Sequence, residues 1–136
     1  LVHPGSGSPR KNWPQEKWLA LMRELPAPVT LVLGEVEAAS WRSVDLPRVS
    51  RLENTSLEEL VTHFTRCRLF LGHDSGISHL AAACGAPCLL LFGPTDPATW
   101  APPTDRVRVI RRADDPDSIA VAEVWHAVSN ILTHRA

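Results

Sequence analysis

Short continuous apolar runs recur along the chain, and apolar positions at three- and four-residue spacing fall between them. A continuous run rich in β-branched residues and leucine reads as a strand buried on both faces, and the wider spacing as one face of a helix. Residues 1–3 read as the end of a strand, followed by Val29–Leu33, residues 49–52, residues 69–71, Cys88–Phe92, and an alternating edge strand over residues 106–110. Pro14 suits a first helical turn, Trp18, Leu19, Met22 and Leu25 give that helix its apolar face, and Pro26 and Pro28 stop it. A short helix is expected over residues 38–42. Ser56 and Glu59 form a capping box ahead of Leu57, Leu60, Val61 and Phe64. Asp74 and Ser75 can cap a helix over residues 77–84, which Gly85 stops. Asp117 and Ser118 open a last helix with Val121, Val124, Trp125, Val128 and Leu132 inward. About six strands alternating with helices predict an α/β fold, a parallel sheet covered on both faces.

With 136 residues, one domain over 1–136 is expected, and 44% hydrophobic and 21% charged residues are ordinary for a globular protein. A formal net charge of −1 lacks the basic footprint of a nucleic-acid binder. Arg106, Arg108, Arg111 and Arg112 read as a solvated strand edge rather than an anion site. No apolar run approaches the ~18 residues of a membrane span, and no signal-peptide pattern is seen at the start. Leu1 already lies in a strand pattern, so a piece of a longer protein is expected. Cys67, Cys84 and Cys88 form no CxxC pair, which favours reduced, buried thiols in a cytosolic protein. Their spacing disfavours a zinc site, and no metal is expected.

The stretch over residues 72–97, GHDSGISHLAAACGAPCLLLFGPTDP, places two polar loops after two buried strands. In open α/β sheets, ligands bind at the carboxyl ends of the strands. The loop over residues 4–12, PGSGSPRKN, adds Gly5 and Gly7 for close backbone approach, hydroxyls on Ser6 and Ser8, and the charges of Arg10 and Lys11 before a helix start. That combination suits a phosphate, although it matches neither a Walker A loop nor GxGxxG. Gly76 in a first turn costs helix stability unless something approaches its backbone. His79, one turn after Ser75, can look toward the same opening, and Thr95 and Asp96 can face it from the next strand. Glu35 and Glu37 stand at the end of another strand, where a carboxylate can accept from ribose hydroxyls. GHDSG is not a nucleophile elbow, since Ser75 is fourth rather than third.

HPGSGSPRKNWP, SLEEL and GHDSGISHLAAACGAPCLLLFGPTDPATWAP, in that order, resemble glycosyltransferase family nine, the ADP-heptose:lipopolysaccharide heptosyltransferases. The resemblance implies an inverting enzyme of GT-B fold, with two Rossmann-like domains facing across a cleft, of which this chain is the C-terminal, donor-binding one. It implies that Ser6, Ser8 and Lys11 hold the diphosphate of ADP-heptose. Asp74, Ser75, Gly76 and His79 would line the phosphate and sugar side, Glu35 or Glu37 would reach the ribose, and the chain around Leu52 to Thr55 would lie by the adenine. The lipopolysaccharide-core acceptor and the catalytic base would belong to the other domain, leaving this chain inactive alone. Cytoplasmic location, contact of the full enzyme with the inner-membrane surface, and self-association of the isolated domain are expected. Ser75 stands where the family often has Thr, and His73 where it often has Asn or Ser. The alternatives are a non-catalytic nucleotide-binding module and an oxidoreductase domain, the latter opposed by the missing GxGxxG.

Overall fold

In the computed structural model, residues 1–134 are described. Strands β1 (Val29–Leu33) and β2 (Val49–Glu53) pair in parallel, as do β3 (Phe70–His73), β4 (Cys88–Phe92) and β5 (Val107–Arg111) in the order β3-β4-β5. Val2 joins the two groups by parallel bridges to Leu31 and Leu71. Its N–H donates to Thr30 O at 2.9 Å, its carbonyl accepts from Val32 N at 2.7 Å, and His3 N donates to Leu71 O at 2.9 Å. Among the described residues the sheet therefore has five full strands, in keeping with the about six expected. The leading segment occupies a sixth place, but only Val2 pairs on both sides before Pro4 removes a donor and turns the chain.

Across the sheet the order is β2, β1, the Val2 segment, β3, β4, β5. The chain moves outward one way from Val2 to β2, then returns to Val2's other side with β3. That reversal makes the gap between residue 3 and the end of β3 a topological switch point, where the two loops diverge and leave a crevice.

Among the described residues six α-helices connect or flank the strands: α1 (Gln15–Glu24), α2 (Glu35–Trp41), α3 (Leu57–Arg66), α4 (Gly76–Ala83), α5 (Pro97–Trp100) and α6 (Val121–His134). Two apolar layers sandwich the sheet. One gathers Trp13, Trp18, Leu21, Leu31, Leu33, Leu71, Leu89, Leu91, Val124 and Val128 beneath α1 and α6. The other gathers Val32, Leu60, Phe64, Phe70, Ala81, Leu90 and Phe92 beneath α3 and α4. Alternate residues of β4 serve opposite layers, which is why CLLLF carries no polar position.

Three local expectations change. Helix α2 begins at Glu35, not residue 38, because Gly34 serves as its N-cap and Glu37 folds back on the Gly34 N–H at 2.7 Å. The proline-rich loop after β4 contains α5, capped by Asp96, whose Oδ1 accepts from Ala98 N at 3.0 Å. Asp117 and Ser118 lie in a separate 3₁₀ turn at Pro116–Ser118 rather than opening α6, which begins at Val121 and buries Val124, Val128 and Ile131, with Val121, Trp125 and Leu132 at the margin.

The cysteines are free thiols. Burial pushes Cys67 up and drives Cys88 to about 12, so both behave as small apolar side chains. The arginine-rich edge is largely exposed, as expected of a solvated strand edge, and three of its four arginines bond within the chain. Arg106 donates to Gly85 O, Arg111 to Gly93 O and Asp114, and Arg112 pairs with Glu123.

Candidate functional site

The crevice at the switch point is built from three loop ends. The loop from Gly5 to Trp13 leaves the Val2 segment and makes one 3₁₀ turn at Pro9–Lys11. The second runs from β3 into α4, and the third follows β4. Asp74, at the end of β3, joins all three. Its Oδ2 lies 3.1 Å from Lys11 Nζ and accepts from Thr95 Oγ1 at 2.9 Å. Asp74 is buried and Lys11 half-exposed, so the carboxylate sits beneath the ammonium and holds it at the crevice mouth. An ammonium carries three protons. One satisfies Asp74, and the others remain for a ligand.

Ser75 caps α4, accepting from Ser78 N at 3.3 Å. That leaves the first-turn amides of Gly76 and Ile77 as donors beyond the cap, at the positive end of the helix. A Cβ built on Gly76 would meet nothing within 4 Å. Nothing in the protein itself requires glycine there.

The two serines of the first loop divide. Ser6 is a fastener: its hydroxyl lies 2.7 Å from both Ser8 O and Asn12 Oδ1 and receives the Ser8 N–H at 3.2 Å. Ser8 keeps its hydroxyl free of any protein partner among the described residues, although it stands at the N-cap of the 3₁₀ turn. Gly5 also leaves room for Glu37. A Cβ there would clash with the Glu37 side chain.

Glu35 and Glu37 also divide. Glu37 is held by the Gly34 N–H and sits 3.8 Å from His3 Nε2. The adjacent His3 imidazole, opposed by partial burial and aided by the Gly34 amide, holds its carboxyl below the ordinary value of 4.5. A depressed carboxyl stabilises the fold above its unfolded pKa and loses that contribution as pH falls through the folded one. Glu37→Gln is therefore expected to lower stability at neutral pH, with the deficit closing below pH 4.5; urea denaturation at pH 7 and pH 3.5 checks this. Glu35 is exposed and faces an open pocket of about 340 Å³ that Thr55, Asn54, Leu57, Ile77 and His3 also line. The structure thus brings Glu35 and Thr55 together beside the crevice. His79 lies apart from the Lys11–Asp74 pair in its bonding: its Nε2 is 3.0 Å from Trp100 O on α5.

The chain pattern left His73 without a role. The structure buries it completely, with Nε2 accepting the Trp13 N–H at 2.9 Å and Nδ1 at 3.1 Å from Gly5 O. Since an amide only donates and a carbonyl only accepts, the ring is neutral with its proton on Nδ1. Burial lowers its pKa to about 4, against a smaller upward pull from the Gly5 carbonyl.

A second cleft of about 330 Å³ opens at the opposite, amino edge of the sheet, lined by Leu1, Leu25, Val29, Cys67, Leu69 and Leu132 among others. It lies away from the carboxyl ends where the polar loops converge.

The family model of glycosyltransferase family 9 (heptosyltransferase) matches residues 1–124. The chain belongs to this family. Lipopolysaccharide heptosyltransferase 1 of Escherichia coli K12 is 31% identical over 93 residues, 64% of this chain and 29% of that protein. Lipooligosaccharide heptosyltransferase 2 of Haemophilus influenzae is 39% identical over 57 residues, 42% of this chain and 16% of that protein. Among solved structures, E. coli ADP-heptose lps heptosyltransferase II superposes with a TM-score of 0.88 at 23% identity, over 98% of this chain and 46% of that one. E. coli heptosyltransferase WaaC with ADP gives 0.83 at 23% identity, over 96% and 43%. At that identity the likeness establishes the fold. This family 9 chain spans less than half the length of the solved chains and less than a third of those two curated relatives.

Proposed function

We propose that this chain is the donor-binding domain of an inverting heptosyltransferase of lipopolysaccharide-core synthesis, and that its crevice holds ADP-heptose. The observation that carries this reading is the convergence of Lys11, Asp74 and Thr95 at the switch point, beside the amino end of α4 and next to the Glu35–Thr55 pocket. Lys11, Ser8 and the amides of Gly76 and Ile77 supply donors for a diphosphate. Glu35 supplies the acceptor for ribose hydroxyls, and Leu57 and Ile77 give the apolar walls a base needs.

In transfer, the bond from the anomeric carbon to the diphosphate breaks and negative charge grows on the leaving oxygen. Lys11, already oriented by Asp74, and the fixed amides of α4 stabilise that charge without reorganising. This positive charge comes from the protein and does not call for a metal. The acceptor and the base that activates it would be supplied by a partner domain, so this chain binds the donor and does not turn it over.

Thermal unfolding with ADP, ADP-heptose and NAD tests the reading. ADP and ADP-heptose at 100 times their Kd are expected to add about 2.7 kcal/mol of stability, and NAD far less. Equal stabilisation by NAD, or none by ADP, would overturn it. A non-catalytic nucleotide-binding module shares the ADP result and differs by giving no transfer when the complete protein is assayed with a lipopolysaccharide-core acceptor.

Val36, Leu57 and Trp100 are 82%, 64% and 55% exposed, and each follows the carboxyl end of a strand. Large apolar side chains gathered at one edge fit a face that meets another domain. Self-association of the chain alone at high concentration is expected by light scattering; a monodisperse monomer would count against it.

A further inference from the structure

His73 ties together the two ends of the loop that carries Ser8 and Lys11. One ring holds Gly5 at the loop's start and Trp13 at its finish. The ring and Trp13 are themselves held in place. The ring meets Trp18 edge-on at 5.5 Å between centroids. Trp13 donates its indole N–H to Ile119 O at 3.0 Å and packs edge-on against Trp18 at 4.9 Å. Next in sequence after His73 comes Asp74, which holds Lys11 Nζ, while Ser78 Oγ donates to His73 O at 2.6 Å and fixes the backbone between them.

Between the clamped ends the loop is held by one 3₁₀ turn, the Ser6 bonds and the Lys11–Asp74 pair, while Gly7 has open space around it. Such a loop pays less ordering entropy on binding when its ends are already set. We propose that His73 is a positioning residue for the phosphate loop: by bonding Gly5 and Trp13 with opposite sides of one neutral imidazole, it presets where Ser8 and Lys11 meet an anionic donor. The proposal rests on the donor-binding reading above for its ligand. His73 itself touches no substrate.

The test compares His73→Phe, which keeps the ring volume and the contact with Trp18 but offers neither bond, with His73→Gln, which restores one donor and one acceptor. ADP affinity of wild type is measured first by calorimetry, then that of both variants, at a temperature where circular dichroism shows all three folded. Hydrogen exchange of residues 6–12 is followed alongside. His73→Phe is expected to bind ADP about tenfold more weakly, with faster exchange in the loop and unchanged protection in β3 and β4. His73→Gln should recover most of the affinity. Should His73→Phe fail to fold, the nitrogen NMR signature of wild-type His73 decides, with a neutral Nδ1–H ring expected at pH 7 and an Nε2–H ring contradicting the clamp. ADP binding unaffected by His73→Phe overturns the proposal while leaving the donor site intact. Absence of ADP binding in wild type overturns the donor reading instead, and loop exchange then decides the clamp alone.

Discussion

Lys11→Ala is expected to weaken ADP binding by about 1.5–3 kcal/mol, the worth of a hydrogen bond to a charged group. Two effects act in the same direction. The variant removes the one ammonium at the crevice mouth, and it leaves the buried Asp74 carboxylate with only Thr95 as partner, facing the incoming diphosphate. The second effect is separable. In a Lys11→Ala background, Asp74→Asn removes the orphaned charge and should recover part of the lost affinity, whereas in the wild-type background the same change releases Lys11 and should weaken binding. Calorimetry on the four proteins gives the coupling. Additive effects would mean that Asp74 and Lys11 do not act on the ligand as a unit.

Acidification is expected to cost stability through His73, beginning before the carboxylates protonate. Its folded pKa of about 4 lies below the ordinary 6.5, so between those values the unfolded chain binds a proton that the folded chain refuses. Stability therefore falls as pH drops, by about 1.4 kcal/mol per pH unit where the unfolded ring is protonated and the folded one is not. Above 6.5 the contribution is complete, and by about 4 it has been lost. Protonating Nε2 would also set a second donor against the Trp13 N–H. Urea denaturation from pH 7.5 to pH 4.5 should show the gap between wild type and His73→Phe narrowing as pH falls. A constant gap would mean that His73 titrates alike in both states.

The strands were legible where burial on both faces removes every polar position. Cys88–Phe92 has the bounds its sequence suggested, and Val29–Leu33 likewise. The sixth strand was harder to read, because LVH has strand character but Pro4 ends it after a single residue that pairs on both sides. The start of α2 was missed for a different reason: its cap is a glycine, which offers no side-chain signal, and the bond that closes it comes from Glu37. At the site, Lys11, Asp74 and Thr95 were each visible as loop polar residues, and adjacency of β3 and β4 suffices to bring the last two together. Gly5 has a second reason that the sequence did not show, since Glu37 packs where its side chain would go. The role of His73 had no local signature. Its partners lie 60 and 68 residues away in sequence and are backbone groups, which no side-chain pattern encodes.

A crystal structure of the protein grown with ADP tests the central claim most directly. The expected complex has the diphosphate within hydrogen-bond reach of Lys11 Nζ, Ser8 Oγ and the amides of Gly76 and Ile77, with the ribose at Glu35 and the base against Leu57 and Ile77. ADP seated in the amino-edge cleft beside Leu25 and Cys67, or in the crevice with its phosphates turned away from Lys11, would contradict it.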